Sequence, residues 1–413
     1  MKVKFFTLGC KVNQYETQAL KERFSFLGCE ITTGKADLYV INTCTVTARA
    51  DFKSKEAILR AKKENPKAKI TVCGCLVQFN KDFIKKIGVD YIVPQDEKHR
   101  LAEIVLSRPF DKKMPDNNWQ LKISRFPNQR AFIKVQDGCS NFCSYCKIPY
   151  LRGPSQSRSK KEIIEEVKRV SILHKEIVLC GINLSLYGKD LKPVKNLEGL
   201  AEDILEVFSL GRLRLSSLES FSLDKKLFTF LEHKKFCPHF HFPFQSGDDR
   251  ILKEMNKKEK VGLYEDIVRQ ARESNLDVAI SCDIMVGFPS ENEQSFNNTV
   301  SFLKRIKPMR THIFTFSPRE NTSFFGLKIK NQKHTRKRYD FLKKLAEDFA
   351  YEYKSRFLGK TLHMVTEEKT NGFTRGYTEN YIKVWVKGEL PLGQIVPVKI
   401  KKVEKDKVVG LCV

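Results

Sequence analysis

The chain has 413 residues, and 75 Lys+Arg against 49 Asp+Glu give it a formal net charge of +26. That length makes room for two to four domains with separate cores, and a hydrophobic content of 41% excludes wholesale disorder. No run approaches the roughly 18 uninterrupted apolar residues of a membrane span. The apolar start at 3–8 ends in Gly9-Cys10, which reads as a buried first strand and not as an export signal. A cytoplasmic chain is therefore expected, without a membrane, in a reducing compartment where disulfides are rare. Its 12 cysteines then point to metal or catalysis.

Residues 1–95 alternate apolar runs (3–8, 38–43, 69–73, 91–93) with amphipathic stretches (13–26, 49–64, 80–87). That rhythm predicts an open parallel-sheet α/β domain. The polar, proline-containing stretch 110–118 reads as a linker. A second series places strands at 131–135, 176–180, 213–217, 239–244, 278–285 and 311–316, with helices at 160–173, 197–208, 223–231, 262–273 and 294–306. Six units in about 190 residues are too few for a closed eight-unit barrel of ~250, so a partial (β/α)6 barrel is expected. Between 304 and 338 eleven Lys/Arg face one acid, Glu320. On a chain of pI near 9.5 this excess favours a polyanion, nucleic acid first, over a merely solvated surface. Residues 333–357 read as one long charged helix. Short β runs follow at 362–366, 381–386, 395–403 and 408–413, separated by Gly, Asn and Pro. They suggest a small antiparallel β-barrel, either an oligonucleotide binder or a structural cap. The class is α/β, divided as 1–118, 119–355 and 356–413.

Cys139, Cys143 and Cys146 stand at i, i+4 and i+7, just after the strand at 131–135. Structural zinc takes four closed ligands, and no fourth Cys or His follows nearby. A [4Fe–4S] cube held by three thiolates would keep one iron open. In the first domain Cys10, Cys44 and Cys75 each end or follow a strand, 34 and 31 residues apart. Ligands of open parallel sheets bind beyond the carboxyl ends of the strands, so these thiolates either meet a common centre there or are inert buried cysteines. Cys73 competes with Cys75, but Gly74-Cys75 repeats Gly9-Cys10, a flexible turn that presents a thiolate, which favours Cys75. Cys29, Cys73, Cys180, Cys237, Cys282 and Cys412 read as buried hydrophobes. His239 and His241 share a strand face and read as packing. Gly181, Asn183, Glu219 and Gln245 lie at strand ends, where they either approach a cofactor or are ordinary rim residues. Arg152 and Arg158 are candidates to pair with a carboxylate or phosphate.

The Cys139-Cys143-Cys146 loop resembles the cluster loop of the radical S-adenosylmethionine (SAM) superfamily. The stretches 8–17, 42–47 and 74–78, with Gln136-Asp137-Gly138, Ile148-Pro149-Tyr150-Leu151-Arg152-Gly153, Ser157-Arg158-Ser159, Phe244-Gln245-Ser246-Gly247 and Val286-Gly287-Phe288-Pro289, resemble the radical-SAM methylthiotransferases. The last segment is similar to their TRAM domain, a small RNA-binding barrel. The resemblance runs over nearly the whole chain. It implies two [4Fe–4S] clusters, one on Cys139, Cys143 and Cys146 that cleaves SAM to a 5′-deoxyadenosyl radical. The other, auxiliary cluster on Cys10, Cys44 and Cys75 would carry the sulfur. Tyr145 takes the position beside the SAM adenine, and Gly181, Asn183, Glu219, Gln245 and Arg158 are the candidate SAM contacts. The implied partners are a tRNA anticodon stem-loop, an electron donor such as flavodoxin or ferredoxin, and a sulfur source.

Three branches of the family act on threonylcarbamoyl-adenosine in tRNA, isopentenyl-adenosine in tRNA, or a ribosomal-protein aspartate. Cys10-Lys11-Val12-Asn13 resembles the first branch; the others usually carry Gln-Met-Asn and Pro-Lys-Asn after the cysteine. The implied reaction is methylthiolation at C2 of N6-threonylcarbamoyladenosine at position 37. The alternative from a different class is a non-catalytic iron–sulfur protein that grips RNA, although a purely structural cluster has no use for an open iron. Phe373, Tyr377, Tyr381 and Trp385 are the aromatic candidates for stacking on RNA bases.

Overall fold

The computed structural model describes residues 1–109, 117–327 and 332–413; nearly all of the linker expected at 110–118 lies outside them. The first part runs β1 (Lys2–Thr7), α1 (Lys11–Phe26), β2 (Glu30–Ile31), β3 (Leu38–Thr43), α2 (Ala48–Glu64), β4 (Lys69–Gly74), α3 (Lys81–Lys86), β5 (Tyr91–Ile92) and α4 (Leu101–Leu106). Its strands pair in parallel in the order β2-β1-β3-β4-β5. The central strand β3 reads Leu-Tyr-Val-Ile-Asn-Thr and is buried throughout, as a parallel sheet covered on both faces requires. Leu38 and Val40 join the core with Val12, Tyr15 and Ala19 of α1. Tyr39 and Ile41 join Ile58 and Ala61 of α2 on the other face. Each such aliphatic side chain contributes about 1.5–3 kcal/mol by burial. Thr47 caps α2, its side chain accepting from the Ala50 amide at 3.2 Å.

The second part contains β6 (Arg130–Lys134), β7 (Gln136–Asp137), α5 (Ile148–Arg152), β8 (Gln156–Ser157), α6 (Lys160–Val170), β9 (Glu176–Cys180), α7 (Leu197–Leu205), β10 (Arg212–Leu215) and β11 (His239–Gln245). It continues through α8 (Asp249–Glu254), α9 (Val261–Ser274), β12 (Ala279–Val286), α10 (Glu293–Ile306) and β13 (Arg310–Thr315). Two parallel sheets, β10-β9-β6 and β11-β12-β13, are joined by the bridges Leu213↔Phe236 and Ser217↔His241. The six strands thus curve into a partial barrel. The helix expected at 223–231 is instead a 3₁₀ segment, Lys225–Glu232. There Leu227 and Phe230, and Phe228 and Leu231, stand three apart and are buried, a spacing that eclipses in a three-residue turn.

The long helix α11 (Gln332–Ser355) leads to β14 (Thr361–Thr370), β15 (Phe373–Thr378), β16 (Lys383–Lys387), β17 (Ile395–Val403) and β18 (Val408–Cys412). These close into a barrel in the order β14-β15-β16-β18-β17. Two features differ from the expectation. Strand β15 was not anticipated, although Asn371-Gly372, both at positive φ, is the dipeptide that turns a two-residue hairpin. The barrel is also not wholly antiparallel, because β16 and β18 run parallel. A closed ring with an odd number of strands cannot alternate direction all the way round.

A buried carboxylate fastens this barrel to the central part. Glu176 in β9 is fully buried and pairs with Arg214 at 2.7 Å, with Arg212 at 2.6 Å and more distantly with Arg130. Arg212 donates onward to the carbonyls of His363 and Tyr377, at 2.7 and 2.8 Å, and Arg214 to that of Thr378 at 3.1 Å. Arg130 pairs with Glu367.

Candidate active site

Cys10, Cys44 and Cys75 follow β1, β3 and β4 at the carboxyl edge of the first sheet. The turns are left-handed at Gly9 (φ 93°) and Gly74 (φ 88°), a conformation that favours glycine. A Cβ on Gly9 would lie 2.8 Å from the Cys44 Cβ and 2.9 Å from its Sγ, so the Cys10 turn packs directly on Cys44. Burial pushes the Cys44 thiol up to about 12, and Cys75 and Cys10 add to it. Cys75 is raised by burial too, while Arg152 and Lys98 pull it down. Cys73 lies within β4 in the hydrophobic core under α1. The structure therefore brings Cys10, Cys44 and Cys75 together and leaves Cys73 in the packing.

Arg152, at the end of α5, reaches this edge from the second part of the chain. Its guanidinium donates to Asp137 at 2.9 Å, Glu16 at 3.2 Å and Asn13 at 2.6 Å. Glu16 also takes Lys98 at 2.7 Å and Lys134 at 2.8 Å. Burial alone would raise the Glu16 carboxyl, but Arg152, Lys134 and Lys98 hold it well below the usual carboxylate range. Three cations against two carboxylates leave one positive charge beside the thiols.

The loop bearing Cys139, Cys143 and Cys146 follows β7. The Cys139 amide donates to the Gly153 carbonyl at 3.1 Å and the Ser144 amide to that of Met255 at 3.0 Å. Asn256 donates to the Phe142 carbonyl at 3.0 Å, so the loop is pinned to the end of α8. Burial pushes Cys143 up to about 12 and Cys146 to about 11. Cys139 is also raised by burial, with the Asn141 backbone amide opposing. Glu219, after β10, meets Lys257 at 2.5 Å, and Lys257 lies 3.6 Å from Glu259. Burial carries Glu219 up to about 7 against the pull of Lys257. Gln245 ends β11 with φ 70° and an unpaired Oε1. Gly181 leaves just enough room for Gln136, whose Oε1 a Cβ would meet at 2.8 Å. Tyr145 packs against the cluster of Met255, Met285 and Phe288.

Arg158 is placed elsewhere. Its guanidinium pairs with Glu166 of α6 beside Tyr15 of α1, so it serves the junction of the first two parts and not the rim. The basic tract needs a similar correction. Arg319 is buried against Asp51 and Thr45, and Arg338 pairs with Glu291 and Glu293. Lys257 is a site residue that sequence reasoning missed; in Asn256-Lys257-Lys258-Glu259 nothing separates it from a solvated charge run.

Among the described residues no group of three or more His, Cys, Asp or Glu is close enough to hold a single ion. A cube does not need such crowding, because each thiolate binds a different iron corner. The chemistry of the loop fits a cluster, since three half-buried thiols, all raised, need bound cations to ionise. The orphaned atoms at the rim, both ends of the Asn183 amide and the Gln245 Oε1, fit a polar cofactor.

Three family profiles match in order: uncharacterized protein family UPF0004 over residues 2–94, the radical SAM superfamily over 133–303, and the TRAM domain over 359–408. A threonylcarbamoyladenosine tRNA methylthiotransferase MtaB of Aquifex aeolicus (strain VF5) is 37% identical over 97% of this chain and 100% of that protein. The chain belongs to the radical SAM methylthiotransferase family. The MtaB of Bacillus subtilis (strain 168) is 36% identical over 97% of this methylthiotransferase and 94% of its own length. A tRNA-2-methylthio-N(6)-dimethylallyladenosine synthase of Thermodesulfovibrio yellowstonii is 31% identical, covering 98% and 97%. A cobalamin-dependent radical SAM enzyme, OxsB, shares the fold at a TM-score of 0.51 and 10% identity. That match covers 85% of this chain, which spans 56% of the OxsB chain. The methylthiotransferase is thus an enzyme that uses SAM and iron–sulfur chemistry, not a passive RNA-binding protein. Among the described residues no helix is long and apolar enough to cross a membrane.

Proposed function

We propose that this enzyme inserts a methylthio group at C2 of N6-threonylcarbamoyladenosine at position 37 of tRNA, using two [4Fe–4S] clusters. The carrying observation is the pair of cysteine triads joined by Arg152, which begins beside one triad and ends against the other. Cys139, Cys143 and Cys146 would hold the SAM cluster and Cys10, Cys44 and Cys75 the auxiliary one. Bound there, SAM and the clusters supply a carbon-centred radical and a sulfur atom, as an unactivated aromatic C–H requires.

The chain's own part is to bind and orient. Glu219, held by Lys257, is poised to accept from an ammonium or ribose hydroxyl, with Asn183 and Gln245 offering further polar partners and Tyr145 a wall for the adenine. The guanidinium of Arg152 and the Lys98 ammonium neutralise the auxiliary thiolates. On the last barrel, Phe373 and Trp385 lie 6.2 Å apart at 78° on a partly exposed face. Lys407 stands 4.4 and 5.0 Å from the two rings and Arg375 5.1 Å from Trp385. Cations among open rings suit an unstacked anticodon loop. Tyr377 and Tyr381 instead stack on each other at 4.8 Å, under Arg130, and serve the junction with the central part.

The proposed divisions are 1–118, 119–355 and 356–413, in the cytoplasm, with an external electron donor such as flavodoxin or ferredoxin and a sulfur source. Mass spectrometry of tRNA nucleosides from a deletion strain tests the reading. Loss of 2-methylthio-threonylcarbamoyladenosine is expected; loss of the isopentenyl derivative alone would refute it.

A further inference from the structure

The partial barrel encloses a second chamber below the cysteine-bearing rim, a cavity of about 300 Å³. The rim residues Glu219 and Gln245 lie at or beyond the carboxyl ends of their strands. The cavity is lined from four neighbouring strands, by Arg214 of β10, His239 of β11, Asp283 of β12 and Arg310 of β13 among others. Two walls come from outside the barrel. One is Lys11, the residue after Cys10, and the other is Tyr381 of the C-terminal barrel, which stacks on His239 at 4.4 Å.

The charges in this cavity do not balance. Its carboxylate, Asp283, is taken by His241 at 3.1 Å and His312 at 3.5 Å. Arg130 and Arg214 are held by Glu176 and Glu367. Among the described residues Lys11 and Arg310, which also line it, make no ion pair. Deeper in, the Arg214 Nη1, His239 Nδ1 and Ser216 Oγ are buried without a hydrogen-bond partner, on side chains only 2%, 4% and 6% exposed. Unsatisfied buried polar groups of this kind cost about 1–3 kcal/mol each unless a ligand meets them. An aliphatic substituent would meet none of them. A group with a carboxylate, a hydroxyl and a carbonyl would meet them all.

We propose that this cavity is the specificity pocket for the N6 substituent of the target adenosine. Lys11 and Arg310 pair with its carboxylate, and Arg214, His239 and Ser216 meet its neutral polar groups. The proposal rests on the reading that the substituent is threonylcarbamoyl, and it assigns the residues that tell it from an isopentenyl chain. C2 and N6 flank the same edge of adenine, so a base whose C2 faces the thiols sends its N6 group along that edge. Lys11 is where the thiol-bearing turn and the cavity wall meet.

The test uses reconstituted holoprotein and three anticodon stem-loops, whose target adenosine carries threonylcarbamoyl, its carboxylate methyl ester, or isopentenyl. Kd is read by anisotropy and product by mass spectrometry. The acid and ester share every phosphate, so their ratio isolates the carboxylate. For the wild type the ester should bind roughly 10- to 100-fold more weakly, as loss of a charge-assisted contact implies. In Arg310→Gln the acid should weaken toward the ester while the ester itself is unchanged. Lys11→Gln should do the same, with iron content confirming that the neighbouring Cys10 is undisturbed. An unchanged acid-to-ester ratio in both variants overturns the pocket. So does a wild type that binds and modifies acid and ester equally, although threonylcarbamoyl would remain the substrate. Turnover of the isopentenyl stem-loop but not of the acid would overturn the substrate reading, and the pocket with it.

Discussion

Glu176→Gln is the substitution whose cost follows most directly from the structure. The side chain keeps its shape and loses the charge that three guanidiniums share. Burial raises the Glu176 carboxyl, but Arg212, Arg214 and Arg130 overcome that and bring it from an ordinary 4.5 to about 2. Its folded pKa is thus depressed, so the stabilisation is fully present above pH 4.5 and fades as pH falls toward 2. In that window the unfolded carboxyl takes a proton that the folded one refuses. The difference in pKa amounts to about 3 kcal/mol at neutral pH. Stranding three buried cations places the loss in Gln at about 3–5 kcal/mol. The assay is a urea titration of apoprotein, followed by the fluorescence of Trp385 in a Trp119→Phe background, since these are the two tryptophans. Wild type and variant should differ by a constant amount from pH 6 to 8 and converge below pH 4.5. A difference under about 1 kcal/mol at pH 7, or one that does not shrink with acid, would refute the clamp.

Replacing Cys139, Cys143 and Cys146 with Ala should leave about half of the roughly eight irons of two cubes and abolish SAM cleavage. The same replacement of Cys10, Cys44 and Cys75 should halve the iron yet keep cleavage while methylthio product disappears; full iron content there would remove the auxiliary assignment. Trp385→Ala should weaken stem-loop binding by about 1–3 kcal/mol, and Lys407→Ala should lower the salt slope by about one unit, both read by anisotropy across a salt series. Gly9→Ala forces a side chain into a left-handed turn against Cys44, and a loss of about 1–3 kcal/mol is expected in the thermal melt of the apoprotein.

Much of this architecture is legible in the chain because strand ends and cysteines coincide. The runs that became β3, β9 and β17 were bounded to the residue by their flanking turn and helix signals, and each thiol at issue follows a strand edge. What stayed hidden depends on distant partners. Nothing local marks Glu16 on α1 as buried, since its three cations arrive from residues 98, 134 and 152. Arg319 and Arg338 look like free cations in sequence, yet each meets a carboxylate far along the chain, and the carboxylate that Arg158 finds is Glu166 and not a cofactor's. Tyr377 and Tyr381 alternate with the barrel's core as ring-stacking candidates would, and only the docking of β15 and the turn after it against the central part covers them. The Asn371-Gly372 turn was readable locally and would have supplied the missing strand.

Tyr381 gives the C-terminal barrel a second consequence. Because this ring lies over His239 and walls the lower cavity, the barrel is a floor as well as a handle. A chain truncated after α11 would retain all six proposed cluster cysteines, but the Arg214 guanidinium and the His239 ring would open to water. Such a protein should still consume SAM while losing its hold on the base, so that more 5′-deoxyadenosine is released for each modified nucleoside. Weakened affinity and wasted turnover would then arise together from one deletion. Point changes on the outer face, at Trp385 or Lys407, would lower affinity and leave that yield intact.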